Sequence, residues 1–293
     1  MINTKRSKLV IILSLRDEEI EKILNYVMSS RVIFSLIMTC KRFSNFFHSD
    51  CTFNKCANVY FKFVSNVNNI KSYVVNLQLH YKCISCIDKF PNIVTLDLSW
   101  NRINANEVGN LKLPEGLKTL NLRGNNIGSE GAKNLKLPEG PKTLNLRGNN
   151  IGLKGVKNLQ IPQNIEFLDL SWNDIKAYGV LKLKTLQNLT TLNLSWNDIG
   201  GCGVKGIYNV QIPQNVVTLD LSWNNITHGS AKNLVLPPSV KFLDLSWNKI
   251  RDKGAKKLKI PPDVIYVDLR NNNIGLKGRN NLIRRLYGVL ILV

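Results

Sequence analysis

Histidine and cysteine are scarce in this chain of 293 residues, with three and six copies, and neither set is arranged for chemistry. The histidines stand at 48, 80 and 228, none beside a serine or cysteine nucleophile with a carboxylate, so nothing points to a hydrolytic triad and the chain reads as a non-enzyme. The cysteines (Cys40, Cys51, Cys56, Cys83, Cys86 and Cys202) lack the even spacing of a disulfide framework. His48, Cys51 and Cys56 with His80, Cys83 and Cys86 come nearest to a zinc set. Cys83 and Cys86, however, fall in a degenerate first coil around Leu77 and Leu79, where small apolar core residues are expected, so neither a metal nor a cofactor is predicted. Long apolar runs are missing too, none approaching the ~18 residues that cross a bilayer. The apolar stretch from Lys8 to Leu15 follows Lys5 and Arg6 as in a signal peptide, but it has no small-residue cleavage site and runs into Arg16, Asp17, Glu18 and Glu19. An intracellular location, cytoplasm or nucleus, is expected. Acidic residues number 20 against 40 lysines and arginines, a formal charge of +20.

What the chain has in abundance is a repeat. Two aliphatic residues one position apart, followed three positions later by asparagine, recur eight times, from Leu96, Leu98 and Asn101 to Val267, Leu269 and Asn272. The asparagines at 101, 125, 149, 173, 197, 224, 248 and 272 are 24 residues apart, with one step of 27. Leu120 and Leu122 alternate with Thr119, Asn121 and Arg123, the period of a strand with one core face and one display face. A single unit cannot bury its leucines. Stacked units can, gaining about 1.5 to 3 kcal/mol per fully buried aliphatic side chain. The asparagine amides are expected to satisfy backbone groups where the chain leaves each strand.

Each unit continues with an aliphatic residue, usually a glycine, and a helix-compatible run. In the unit after Asn125, Ile127 and Leu135 are expected to face the core, with Gly131 permitting close packing. Pro114, Pro138, Pro162, Pro213, Pro237 and Pro261 are expected to close the helices. The unit after Asn173 has no such proline and uses Leu181, Leu183 and Leu186, while the three extra residues before Asn224 lengthen the segment around Gly201 to Tyr208. This period and pattern resemble leucine-rich repeats, with strands and isoleucine-glycine loops similar to the GALA type. The resemblance implies an α/β fold: a horseshoe solenoid over residues 91–293, with a parallel sheet on its concave side and a C-terminal cap.

The excess of basic residues has a location on such a fold. Lys133, Lys136, Lys154, Lys157, Lys232, Lys256, Lys257 and Lys259 fall in the helical segments, on the convex flank. The middle outward position of the strands instead reads Asp97, Asn121, Asn145, Asp169, Asn193, Asp220, Asp244 and Asp268, an acidic to neutral column that repels phosphate backbones. Nucleic acid is therefore not the expected partner.

The residues before the repeats differ in kind. Ile20, Ile23, Leu24 and Val27 have amphipathic helix spacing, with Ser14 and Asp17 suited to capping, and Ile33, Leu36, Ile37 and Cys40 repeat it in a second helix. Leu15, Asp17, Glu18, Ile20, Ile23 and Leu24, then Leu36, Cys40, Lys41 and Phe43, resemble an F-box, with Arg16 where that family commonly has proline. The expected organisation is a helical F-box-like domain over 1–50, then a helical linker and capping repeat over 51–90. The resemblance implies docking onto a Skp1-like adaptor of a cullin ubiquitin ligase through Leu15, Asp17, Ile20, Leu24, Cys40, Lys41 and Phe43, with the repeats holding a protein substrate. The alternative is a helical cap on an interaction scaffold, with no ubiquitin role. Richness in Asn, Lys and Ile is similar to proteins of A/T-rich genomes, giant viruses of amoebae among them.

All five tryptophans, Trp100, Trp172, Trp196, Trp223 and Trp247, occupy one repeat position, two residues after the second core leucine. Two near-duplicate units have Arg123-Gly124 and Arg147-Gly148 in place of Ser-Trp. The tryptophans are read either as a partner-contact ridge or as packing between turns. Together with Arg123, Arg147, Phe167, Phe242, Tyr266 and the aspartates Asp169, Asp220, Asp244 and Asp268, they form the expected partner-binding surface, selective for basic proteins.

Overall fold

The computed structural model describes residues 35–37, 57–61, 74–79, 87, 92–201 and 210–293. Twelve strands among these residues form one sheet in chain order: β1 (Ser35–Ile37), β2 (Ala57–Phe61), β3 (Val74–Leu79), β4 (Thr95–Asp97), β5 (Thr119–Asn121), β6 (Thr143–Asn145), β7 (Phe167–Asp169), β8 (Thr191–Asn193), β9 (Thr218–Asp220), β10 (Phe242–Asp244), β11 (Tyr266–Asp268) and β12 (Leu290–Leu292). From β3 onward every pairing is parallel, and each repeat position sits opposite its own copy, as Leu96, Leu120, Leu144 and Leu168 do in adjacent strands. That register puts both aliphatic residues of each unit in one continuous core, buried, while the residues between them stay half-exposed except at Asp169 and Asp268. The layered arrangement expected from the period is therefore present. It survives the longer step, since Leu192 still pairs with Leu219.

The front of the sheet departs from expectation. β1 lies where the second amphipathic helix was anticipated and pairs antiparallel with β2, which itself lies in the anticipated helical linker. Both segments are rich in residues that favour extended backbone, Val32, Ile33 and Phe34 ahead of β1 and Val59, Tyr60 and Phe61 within β2, so short-range spacing does not separate helix from strand there. β3, around Leu77, pairs in parallel with β4 and is the expected first coil of the array. Leu15, Asp17, Ile20, Leu24, Cys40, Lys41 and Phe43 lie outside the described residues, as do His48, Cys51, Cys56, His80, Cys83, Cys86 and the segment 202–209.

A layer of short helices covers the other side of the core: α1 (Ala105–Gly109), α2 (Gly128–Asn134), α3 (Gly152–Asn158), α4 (Lys176–Val180), α5 (His228–Ala231), α6 (Arg251–Lys257) and α7 (Leu276–Arg285). Glycine sets how closely they approach. A Cβ on Gly155 would stand 2.9 Å from the Ser129 Cα, and one on Gly131 3.0 Å from the Ala105 Cα. The last two helices cap each other across the repeat boundary. Asp252 of α6 accepts the Gly275 and Gly278 amides at the start of α7, and Arg285 of α7 donates to the Ala255, Lys256 and Leu258 carbonyls at the end of α6. The prolines have a different role from the one expected. α2 ends at Asn134, four positions before Pro138. Except at Pro138, where the residue three on is itself a proline, the proline carbonyls instead accept an amide three residues on, as in Pro162 to Ile165 and Pro261 to Val264, and so make the turn that enters the next strand. After Asn173, α4 runs directly into a 3-10 turn (Leu181–Thr185) with Leu183 and Leu186 buried.

The asparagine column acts as the sequence implies. The Asn125 amide donates to the Leu98 and Leu122 carbonyls at 2.9 and 2.8 Å, and its oxygen accepts the Asn101 and Ile103 amides at 3.0 and 2.9 Å. The oxygens of Asn173, Asn197 and Asn224 accept the equivalent pair of amides. Asn149 is the exception: its amide donates normally, but its buried oxygen has no hydrogen-bond partner.

Candidate functional site

The position after each strand turn is left-handed in every unit. Trp100, Trp172, Trp196, Trp223 and Trp247 have φ between 55° and 59°, and the aligned Gly124, Gly148 and Asn271 have 67°, 64° and 59°. For a bulky L-residue this region costs about 1 to 2 kcal/mol. The backbone is held there by bonds to the next unit: the Trp172 amide donates to the Ser195 carbonyl at 2.9 Å, and the Trp223 amide to that of Ser246 at 3.1 Å.

Left-handed backbone at a fixed register places the indoles face to face. Trp172, Trp196, Trp223 and Trp247 form one stack, with ring centroids 4.1, 4.2 and 4.2 Å apart and planes inclined by 20°, 14° and 10°. Each stacked pair contributes roughly 0.5 to 1.5 kcal/mol and offsets part of the backbone strain. The ladder is nonetheless on the surface, with Trp172 44%, Trp196 36% and Trp247 48% exposed and Trp223 half-buried; Trp100, outside the stack, is exposed too. The tryptophans thus pack between turns through their faces and leave their edges exposed. At Gly124 and Gly148 the stack is interrupted. The Arg123 guanidinium lies 5.4 Å from the Trp100 ring and that of Arg147 6.0 Å from the Trp172 ring, within cation–π range.

A family model described as "Leucine Rich repeat" matches residues 91–106, 117–136, 142–159, 162–184, 185–207, 213–235 and 237–259. These are leucine-rich repeats. Among solved structures, the leucine-rich repeat-containing protein LegL7 from Legionella pneumophila is similar at 23% identity and a TM-score of 0.42, the match covering 71% of this chain and 65% of that one. No curated protein matches the chain.

The aspartates of the leucine-rich repeats are less free than a displayed column implies. Each accepts the amide two residues on, Asp97 from Ser99, Asp220 from Ser222 and Asp244 from Ser246, and so closes the turn that leads to the tryptophan. Asp169 and Asp268 are buried, contrary to their expected display. Asp169 also accepts the Ser171 hydroxyl, and Asp268 takes the Arg270 guanidinium through Nε at 3.0 Å and Nη2 at 2.6 Å. Burial pushes the Asp268 carboxyl up, but the hydrogen bonds and charge of Arg270 outweigh it and hold the group below its ordinary value. Asp220 goes the other way: burial raises it against the Ser222 hydrogen bonds, and repulsion from Asp244 and Asp169 adds to the rise. Asp97, Asp220 and Asp244 stay half-buried, the last two adjacent in register, and carry the acidic display of the strand face.

Phe242 is exposed, and Phe167 and Tyr266 are half-buried, on the same strand face as the aspartates. The lysines anticipated on the flank are all exposed in or beside the helices, away from that face. Among the described residues there is no cluster of metal-binding side chains, and no helix is long and apolar enough to cross a membrane. Sequence reasoning misses the left-handed backbone, although Gly124, Gly148 and Asn271 in the tryptophan column are the residues that prefer it. It also misses the aspartates' local role, which their fixed distance from the turn could have shown.

Proposed function

We propose that the protein is a non-catalytic interaction scaffold that grips an extended protein partner on its strand face. Leucine-rich repeats generally act as non-catalytic modules that bind proteins. The observation that carries the reading is the exposed indole ladder, four rings stacked in register beside Asp220 and Asp244. Rigid, half-exposed aromatics at fixed spacing lose little entropy on binding, and tryptophan is enriched where binding energy concentrates. The test is affinity purification with the full chain, followed by reconstitution with the purified partner. The double variant W196A/W223A should bind at least about tenfold more weakly while remaining folded. Lost thermal stability with unchanged affinity would make the ladder purely structural.

The finer form of the proposal is that the segment before the repeats docks a Skp1-like adaptor, making the protein the substrate-recognition subunit of a ubiquitin ligase. It is supported by the F-box-like pattern of Leu15, Asp17, Ile20, Leu24, Cys40, Lys41 and Phe43. Recovery of such an adaptor, abolished by I20E/L24E, supports it. Partner capture with no adaptor leaves the scaffold reading alone.

A further inference from the structure

Two consecutive units depart from their neighbours at three aligned positions at once. Where flanking units have Asp97 and Asp169 they have Asn121 and Asn145; where those have Ser99 and Ser171 they have Arg123 and Arg147; and where those have Trp100 and Trp172 they have Gly124 and Gly148. Arg270 shows what an arginine at this position does when its aspartate is present, since Asp268, two residues earlier, takes its guanidinium at 2.6 Å. Asparagine at the equivalent place supplies no such charge to Arg123 or Arg147, and neither forms an ion pair among the described residues. The Arg123 Nε is buried without an acceptor.

The two guanidiniums face the rings that flank the gap in the ladder, and the Trp100 ring leans over Gly124, where a Cβ would run into it. Trp100 and Trp172 belong to units three strand steps apart, roughly 14 Å at about 4.8 Å per step. Arg123 lies over the first ring at 5.4 Å and Arg147 over the second at 6.0 Å, and the two arginines come from adjacent units, the Gly124 amide donating to the Arg147 carbonyl at 2.8 Å. The approach is open on the Gly148 side. A Cβ on Gly148 would meet nothing nearer than the Gly124 backbone at 3.9 Å.

We propose that Arg123 and Arg147 form a subsite for the phosphate of a phosphorylated side chain on the protein partner; this rests on the reading of the strand face as the partner surface. Two adjacent cations with no carboxylate between them match a phosphate monoester, which carries about −1.5 to −2 charge at pH 7 and three acceptor oxygens, better than a carboxylate. Trp100 and Trp172 hold the guanidiniums from outside and pre-order them. Asp97 and Asp169 bound the subsite on both sides, so it suits one phosphate and disfavours a polyanion.

The experiment uses immobilised degenerate peptide libraries that differ only in a central phosphoserine, phosphotyrosine, glutamate or serine. They are probed with the full chain, with R123S/R147S (serine being what flanking units hold), with R147S alone, and with the flank control K133S/K157S. At least one phosphorylated library should retain the protein about tenfold better than serine and clearly better than glutamate. R147S should lose part of that preference, R123S/R147S all of it, and K133S/K157S none. Equal retention on glutamate overturns the phosphate assignment. So does absence of any phosphopeptide preference, its survival in R123S/R147S, or its loss in K133S/K157S. Failure of the strand-face reading appears separately, as unchanged affinity of W196A/W223A for the reconstituted partner.

Discussion

A tryptophan in left-handed backbone is strained, and stacking recovers part of what its φ costs. Replacing Trp196, at φ 57° between Trp172 and Trp223, separates the two contributions. Alanine keeps the unfavourable backbone and loses both stacked faces; glycine loses the same faces but fits the backbone. W196G should therefore be more stable than W196A by about 1 kcal/mol in urea unfolding. The reverse order would mean that the backbone there is not left-handed. The asparagine column supports a second comparison at the same scale. Asn173→Ala orphans the buried Asn149 and Ile151 amides, which now donate to its oxygen, whereas Asn149 has no bond through its own oxygen to lose. At about 1 to 3 kcal/mol per stranded amide, N173A should be more destabilising than N149A by at least about 2 kcal/mol. Equal costs would show that the amides find other acceptors.

Between elements, the closest approaches fall at glycines in the helix layer. In G155A the new methyl must force α3 away from the Ser129 backbone, 2.9 Å distant, and from the Ile151 side chain. The expected loss is about 1 to 3 kcal/mol. G116A, with nothing within 4 Å of the new atom, should stay within about 0.5 kcal/mol of wild type. Chemical denaturation of both variants decides it, and equal stabilities would remove the packing argument. This contact is legible in the sequence because Gly131 and Gly155 recur 24 residues apart on the apolar side of each helical run. The leucines and asparagines are legible for the same reason, identical residues in identical environments. What local pattern does not decide is β1 and β2, whose apolar residues fit either period, and the burial of Asp169 and Asp268, which depends on Ser171 and Arg270 turning inward onto them.

Across the whole molecule, charge is sorted by layer. Exposed lysines line the helices, while Asp220 and Asp244 mark one stretch of the strand face and the uncompensated Arg123 and Arg147 another. A partner approaching the strands meets a surface whose sign changes along its length, which favours one direction of an extended segment over the other. The same modularity makes the array's length adjustable. Excising residues 125–148 joins Gly124 to Asn149, a junction with the same local sequence as the natural Gly124 to Asn125, and removes one strand and one helix together. Each unit contacts only its neighbours, so the shortened chain should fold with a single unfolding transition, its stability reduced by one unit and its interface. Excising only residues 137–148 takes β6 and leaves α3 without its strand, breaking the register of all that follows, and should abolish cooperative unfolding. Circular dichroism and urea titration of the two deletions test this. If both lose the transition, the array is one indivisible cooperative structure, and the additive description of its units fails.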